Sequence, residues 1–162
     1  MLGDINFFIY RDYGGGEEDQ GQVIGDDTDR SRTTPVSVYG EVDVMVAETH
    51  DRGKGVGFGA VCALLVYLQR HLTTILAEYQ RGGDKLLGEM GNVMLTRLVA
   101  KIKVANERSR LLFRRLGFEQ RGETNYFGEV EMVIEFGEVS RMGWFSEAEK
   151  GYLEVRYDRD RW

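Results

Sequence analysis

Arg52-Gly53-Lys54-Gly55-Val56-Gly57 is the segment of this chain whose residue types are best suited to holding an anion. It stands between a stretch that alternates like a strand and a long apolar stretch with helical spacing. The first N–H groups of a helix have no partner within it, and the helix dipole is positive there. Glycines let the backbone curl round a ligand without Cβ interference, and Arg52 and Lys54 add charge. Together these features describe a cradle for linked phosphates. Three glycine loops compete for the string. A Walker A loop needs GxxxxGK[ST], which does not occur in the chain. A Rossmann fingerprint needs G-x-G-x-x-G, whereas Gly55, Gly57 and Gly59 give G-x-G-x-G. The pattern [QR]-x-x-G-x-[GA] is satisfied by Arg52, Gly55 and Gly57.

Two carboxylates share one face of the strand-like stretch before the loop. Glu41 lies eleven residues before Arg52, and Asp43 shares its strand face. Either could take a proton from a nucleophile, directly or through water. They could equally line an exposed strand face. Downstream, Asn106 opens the string NERSRLLFRRLGF, which carries Ser109, Phe113 and Gly117. His50 reads as a surface turn residue and His71 as structural. Cys62 reads as a small buried apolar residue, because no His or Asp is placed to activate it.

These groups need elements to position them. Residues 2–10 read as a strand. In 38–48, Val42, Val44 and Val46 face one way, and Glu41, Asp43, Met45 and Ala47 the other. A helix is predicted over 57–79, with Val61, Leu64, Leu65, Leu68, Leu72 and Ile75 at helical spacing. Residues 95–105 read as a strand with Leu98, Ala100, Ile102 and Val104 on one face. A short helix follows over 107–116, closed by Gly117. Strands at 118–123 and 129–136 complete an antiparallel pair. Acidic, Gly-rich residues 11–35 and glycine-rich residues 80–94 read as flexible insertions. The tail, 137–162, has no period, and packing on the surface and disorder are both open for it. The order β–β–α–β–α–β–β predicts a mixed α/β (α+β) fold.

Composition narrows the classes. The chain has 162 residues, one-domain size, and is 42% hydrophobic. A formal net charge of −6 argues against a nonspecific nucleic-acid binder. One cysteine excludes an internal disulfide or a cysteine metal cluster and points to a reducing, cytoplasmic setting. The N-terminus has no basic n-region and reads as no secretory signal. The longest apolar run, 58–68, is too short for a membrane span.

The glycine loop resembles motif A of the GNAT acetyltransferase superfamily. Asn106 to Phe118 resembles its motif B, N-x-x-[SA]-x-x-x-[YF]-x-x-x-G-F. The strings GDINFF, GEVDVMVAE, RGKGVG, KIKVANERS and FRRLGFE are similar to the N-acetyltransferase 9-like branch, over roughly 1–136 apart from the insertions. The resemblance implies a mostly antiparallel mixed sheet flanked by helices, and acetyl transfer from acetyl-CoA to an amine without a metal. The acceptor it implies is a protein amine, tubulin-like by resemblance, with no nucleic acid or membrane partner. Arg52, Gly53, Lys54, Gly55, Val56 and Gly57 would hold the pyrophosphate. A bulge would free backbone N–H groups at Met45, Val46 and Ala47. Asn106, Ser109 and Phe113 would lie along the coenzyme, and Glu41, with Asp43 second, would be the base. Many relatives protonate the thiolate with a tyrosine where this chain has Phe113; Tyr126, Tyr39 or water are the substitutes. The family fold begins with β–α–α–β elements that form one wall of the acceptor site, and nothing in this sequence supplies them. The alternative reading is a non-catalytic CoA-binding or interaction module.

Overall fold

A computed structural model describes residues 3–13, 35–82 and 92–155. The expected insertions at 11–35 and 80–94 therefore fall largely outside the described residues. In chain order the elements are strand β1 (Gly3–Arg11), strand β2 (Val36–Val46), helix α1 (Val56–Gly82) and strand β3 (Val93–Lys103). Helix α2 (Glu107–Arg115), strands β4 (Glu119–Arg121) and β5 (Glu129–Glu135), a 3-10 turn at Phe136–Arg141 and helix α3 (Phe145–Gly151) follow.

The strands form one sheet in the order β1-β2-β3-β5-β4. β2 and β3 run parallel, and the other pairs are antiparallel. The parallel pair requires a crossover, which α1 provides. The period-two pattern of β2 sets its faces: Val36, Val38, Gly40 and Val42 are buried, while Asp43 and Met45 are exposed. Leu98, Ala100 and Ile102 of β3 are buried as expected. Val104 is not: it lies past the strand end, in a turn, and is exposed. Val99, on the other face, is buried.

α1 packs Val61, Cys62, Leu65, Val66 and Leu68 into the core with Val38, Val42, Leu98, Met132 and Ile134. Each such burial stabilises the fold by about 2 kcal/mol in transfer terms. By length and composition alone α1 could cross a bilayer, although its longest unbroken apolar run is short. Its apolar stripe faces the sheet instead, and its near-continuous apolarity has a second cause. Residues 136–155, which show no period, fold back over it. Val139 and Phe145 are buried there, Phe58 meets Trp144 edge-on at 6.4 Å, and Trp144 Nε1 donates to Leu116 O at 3.1 Å. His71 is structural as expected: its Nε2 lies 2.8 Å from Glu154 Oε1.

α2 is defined at both ends by its sequence. The Asn106 side chain accepts from Ser109 N at 3.2 Å, the usual N-cap bond. Gly117 takes φ +98, and Phe118 N donates to Phe113 O, and Gly117 N to Arg114 O, each at 3.0 Å. This is a Schellman ending, and its hydrophobic contact is the edge-on pair Phe113–Phe118 at 5.0 Å.

Candidate functional site

The site begins where two neighbouring strands part. β2 pairs with β1 all the way to Val46, opposite Gly3. Its parallel pairing with β3 stops at Glu41, opposite Val99. β3 continues with β5 to Lys103, opposite Glu129. Residues 42–46 of β2 therefore face an opening rather than a ladder partner. The expected bulge at Met45–Ala47 is not what exposes this backbone. The irregularity in pairing sits earlier, at Val38/Tyr39, where Thr96 is the extra residue on β3. The opening comes from divergence of the strands, which no local sequence pattern marks.

Two clefts share the opening. The larger, about 830 Å³, is floored by Val44, Met45 and Val46. The glycine loop (Arg52, Gly53, Gly55, Gly57) and Phe58 bound one side. α2 bounds the other with Arg108, Ser109, Leu111, Leu112 and Arg115, and Asn106 stands at its start. The smaller, about 380 Å³, lies between Val42–Met45 and Ala100–Lys103 and also includes Asp4, Asn6, Asn106, Ser109, Phe113 and Glu129. Met45, Val44, Asn106 and Ser109 border both.

The loop has the local geometry its glycines suggested. Gly53 and Gly55 take φ of +80 and +88, the left-handed region that side chains disfavour, although a Cβ at either would meet nothing within 4 Å. The constraint there is torsional, not steric. Gly57 opens α1 close to α2: a Cβ there would lie 3.1 Å from Leu112 Cδ1. Arg52, expected to add charge, also braces the loop. Its Nε donates to Val46 O at 2.9 Å, and a terminal nitrogen donates to Ala47 O at 3.3 Å. Lys54 departs from the expectation: it pairs with Asp51 at 3.1 Å and does not line the cleft. Val56, the first helical residue, and Ala47 do not line it either. Phe113 is buried and borders only the smaller cleft. His50 is an exposed turn residue beside Asp51, as expected.

The carboxylates separate. Glu41 Oε2 accepts from Lys101 Nζ at 2.8 Å, and Glu41 borders neither cleft. Asp43 borders the smaller one. Its carboxyl is pushed above the ordinary aspartate value, first by partial loss of water, then by Glu41, with Asp4 and Glu129 adding and Lys101 opposing. Neither proposed acid reaches the site. Tyr126 projects into solvent, and Tyr39 stacks on Tyr10 at 5.4 Å. Sequence reasoning missed Arg108, Leu111, Leu112 and Arg115. Their spacing of three, four and seven residues is the stripe one helix face presents, so the signal was there. Arg115 also covers the Phe58 ring at 4.4 Å. A cleft with a glycine loop at a helix start, apolar walls and three arginines on its rim suits a long ligand with an anionic end. No group of three or more His, Cys, Asp or Glu side chains able to hold a metal occurs among the described residues.

No family model matches the chain. It is similar to an N-acetyltransferase 9-like protein of Schizosaccharomyces pombe, 29% identical over 136 residues, covering 83% of this chain and 56% of that protein. It is similar to human alpha/beta-tubulin-N-acetyltransferase 9, 31% identical over 160 residues, covering 99% and 56%. A Dictyostelium discoideum N-acetyltransferase 9-like protein is 28% identical, covering 85% and 46%. The chain spans about half the length of the curated relatives it matches. Among solved structures, it is similar to an aminoglycoside acetyltransferase in complex with coenzyme A and kanamycin, at 19% identity and a TM-score of 0.42, covering 64% of this chain and 49% of that one. The chain thus has a mixed, mostly antiparallel α+β fold and is similar, over most of its own length, to the N-acetyltransferase 9-like proteins.

Proposed function

We propose that this chain binds acetyl-CoA in the larger cleft and transfers its acetyl group to an amine of a protein. The observation that carries this reading is the parting of β2 from β3 just ahead of the glycine loop. It leaves strand backbone at Val44–Val46 facing the place where a thioester would lie, while the start of α1 faces the place of the pyrophosphate. Gly53, Gly55 and Gly57 supply bare amides, and Arg52, Arg108 and Arg115 supply charge to the anionic end. Asn106 and Ser109 border the path between the clefts. Preorganised backbone donors at a developing oxyanion are commonly the largest catalytic contribution.

The acceptor enters from the smaller cleft. Its wall carries Lys101 and Lys103, paired with Glu41 and Glu129, and leaves Asp4 and Asp43 without a cationic partner among the described residues, which favours a cationic ammonium and fits a protein N-terminus or a lysine. The name of the human relative makes tubulin the first acceptor to try. With Phe113 lacking a hydroxyl, the thiolate receives its proton from the reacting nitrogen through water.

Phe113 also favours a second reading, a non-catalytic coenzyme-binding module. Titration with acetyl-CoA followed by a free-thiol assay with peptide amines separates the two. Micromolar binding with thiol release is expected; binding without release leaves the module, and no binding removes both.

A further inference from the structure

Glu41 and Asp43 are two residues apart on the same face of β2, yet they sit on opposite sides of the strand divergence. Glu41 is the last β2 residue still in register with β3. Its side chain is only 14% exposed and its carboxylate is held by Lys101. To accept a substrate proton it would first have to break a charge-assisted hydrogen bond. Asp43 lies past the divergence, opposite Asn6 of β1, and has no hydrogen bond or ion pair among the described residues. It borders the smaller cleft together with Asn106 and Ser109, which also border the larger one. Facing it are Glu41 on its own strand, Asp4 on β1, Lys101 and Lys103 on β3 and Glu129 on β5; Lys101 is paired with Glu41 and Lys103 with Glu129 at 3.1 Å, so the three acids still outnumber the two bases.

We propose that Asp43 accepts the proton of the acceptor amine, and that Glu41, held by Lys101, is a positioning residue that sets the charge on Asp43. This assignment rests on the acetyl-transfer reading. An N–H bond of the ammonium breaks, the proton passes to the Asp43 carboxylate and the electron pair stays on nitrogen. That pair forms the N–C bond to the acetyl carbon, and the C–S bond breaks with its electrons leaving on sulfur. A second proton moves from the nitrogen to the thiolate through water, and Asp43 returns its own to solvent. The products are one amide, one thiol and one released proton.

The sign of each charge gives a test that a merely structural role would not pass. Asp43 must be ionised to act, so turnover rises as pH climbs through its titration. Glu41→Gln removes a charge that pushes Asp43 up, and shifts the acidic limb of the kcat profile to lower pH. Lys101→Met removes a charge that pulls it down, and shifts the limb to higher pH. Asp43→Asn is expected to lower kcat by about 100-fold or more while acetyl-CoA affinity by calorimetry stays constant. Glu41→Gln is expected to keep turnover within about tenfold. Turnover surviving in Asp43→Asn, or both limbs moving the same way, overturns the assignment and leaves acetyl transfer standing. A wild-type chain that binds acetyl-CoA without releasing thiol removes the reaction and the assignment together. Carbon-13 carboxyl NMR reads Asp43 without turnover: its titration must fall in Glu41→Gln, and an unchanged midpoint overturns the role given to Glu41.

Discussion

At Gly55 the backbone angle, not the space around it, restricts the residue. A substitution there carries torsional strain of about 1 kcal/mol. Gly55→Glu adds a carboxylate beside the proposed pyrophosphate position, where like charge opposes binding. Acetyl-CoA affinity should fall by at least about 100-fold, which corresponds to roughly 2.7 kcal/mol; calorimetry showing the wild-type value would move the ligand elsewhere. Arg52 has two tasks, because its bonds to Val46 O and Ala47 O tie the end of β2 to the loop. Arg52→Ala should weaken acetyl-CoA by about tenfold or more. Arg52→Lys should rescue little of it, since an ammonium cannot reproduce the fork. Full recovery with lysine would show that charge alone mattered.

At the scale of elements, α2 depends on its two ends. It is a short helix, and helices of this length are marginal without capping and packing. Asn106→Ala removes the acceptor for Ser109 N and should cost about 1 kcal/mol, read as a melting temperature lowered by about 3 °C. The larger cleft should also loosen, since Arg108, Ser109 and Leu112 are placed by the same turn. A melt identical to wild type would mean the cap is redundant. The C-terminal Schellman ending gives Phe113 a packing role: it is the hydrophobic partner of Phe118 and touches only the smaller cleft.

Across the whole molecule, residues 136–155 complete the fold. Phe145 is buried with the core cluster, and Trp144 bridges α2 and α1 through Leu116 O and Phe58. Phe145→Ala should therefore destabilise the chain by about 3–5 kcal/mol in urea unfolding, as other core phenylalanines do. A loss under about 1 kcal/mol would show this segment to be an appendage. Such packing could not be read from 137–162, because apolar residues spaced by irregular turns have no period to detect.

Much of the site was nevertheless legible. The glycine loop, its place between strand and helix, the Asn106 cap and the Gly117 stop are local features, each set by a few neighbouring residues and their torsional or capping preferences. The chain order of the elements and most of the core follow from periods of two and 3.6, whereas the order of strands in the sheet and the crossover came from the tertiary structure. The parting of β2 from β3, the ion pair of Glu41 with Lys101 and the exposure of Asp43 are different in kind. They join residues about sixty positions apart, and their geometry depends on where two strands stop pairing. Side-chain types alone leave Glu41 and Asp43 equivalent; only the tertiary fold gives one of them a lysine and the other an open cleft.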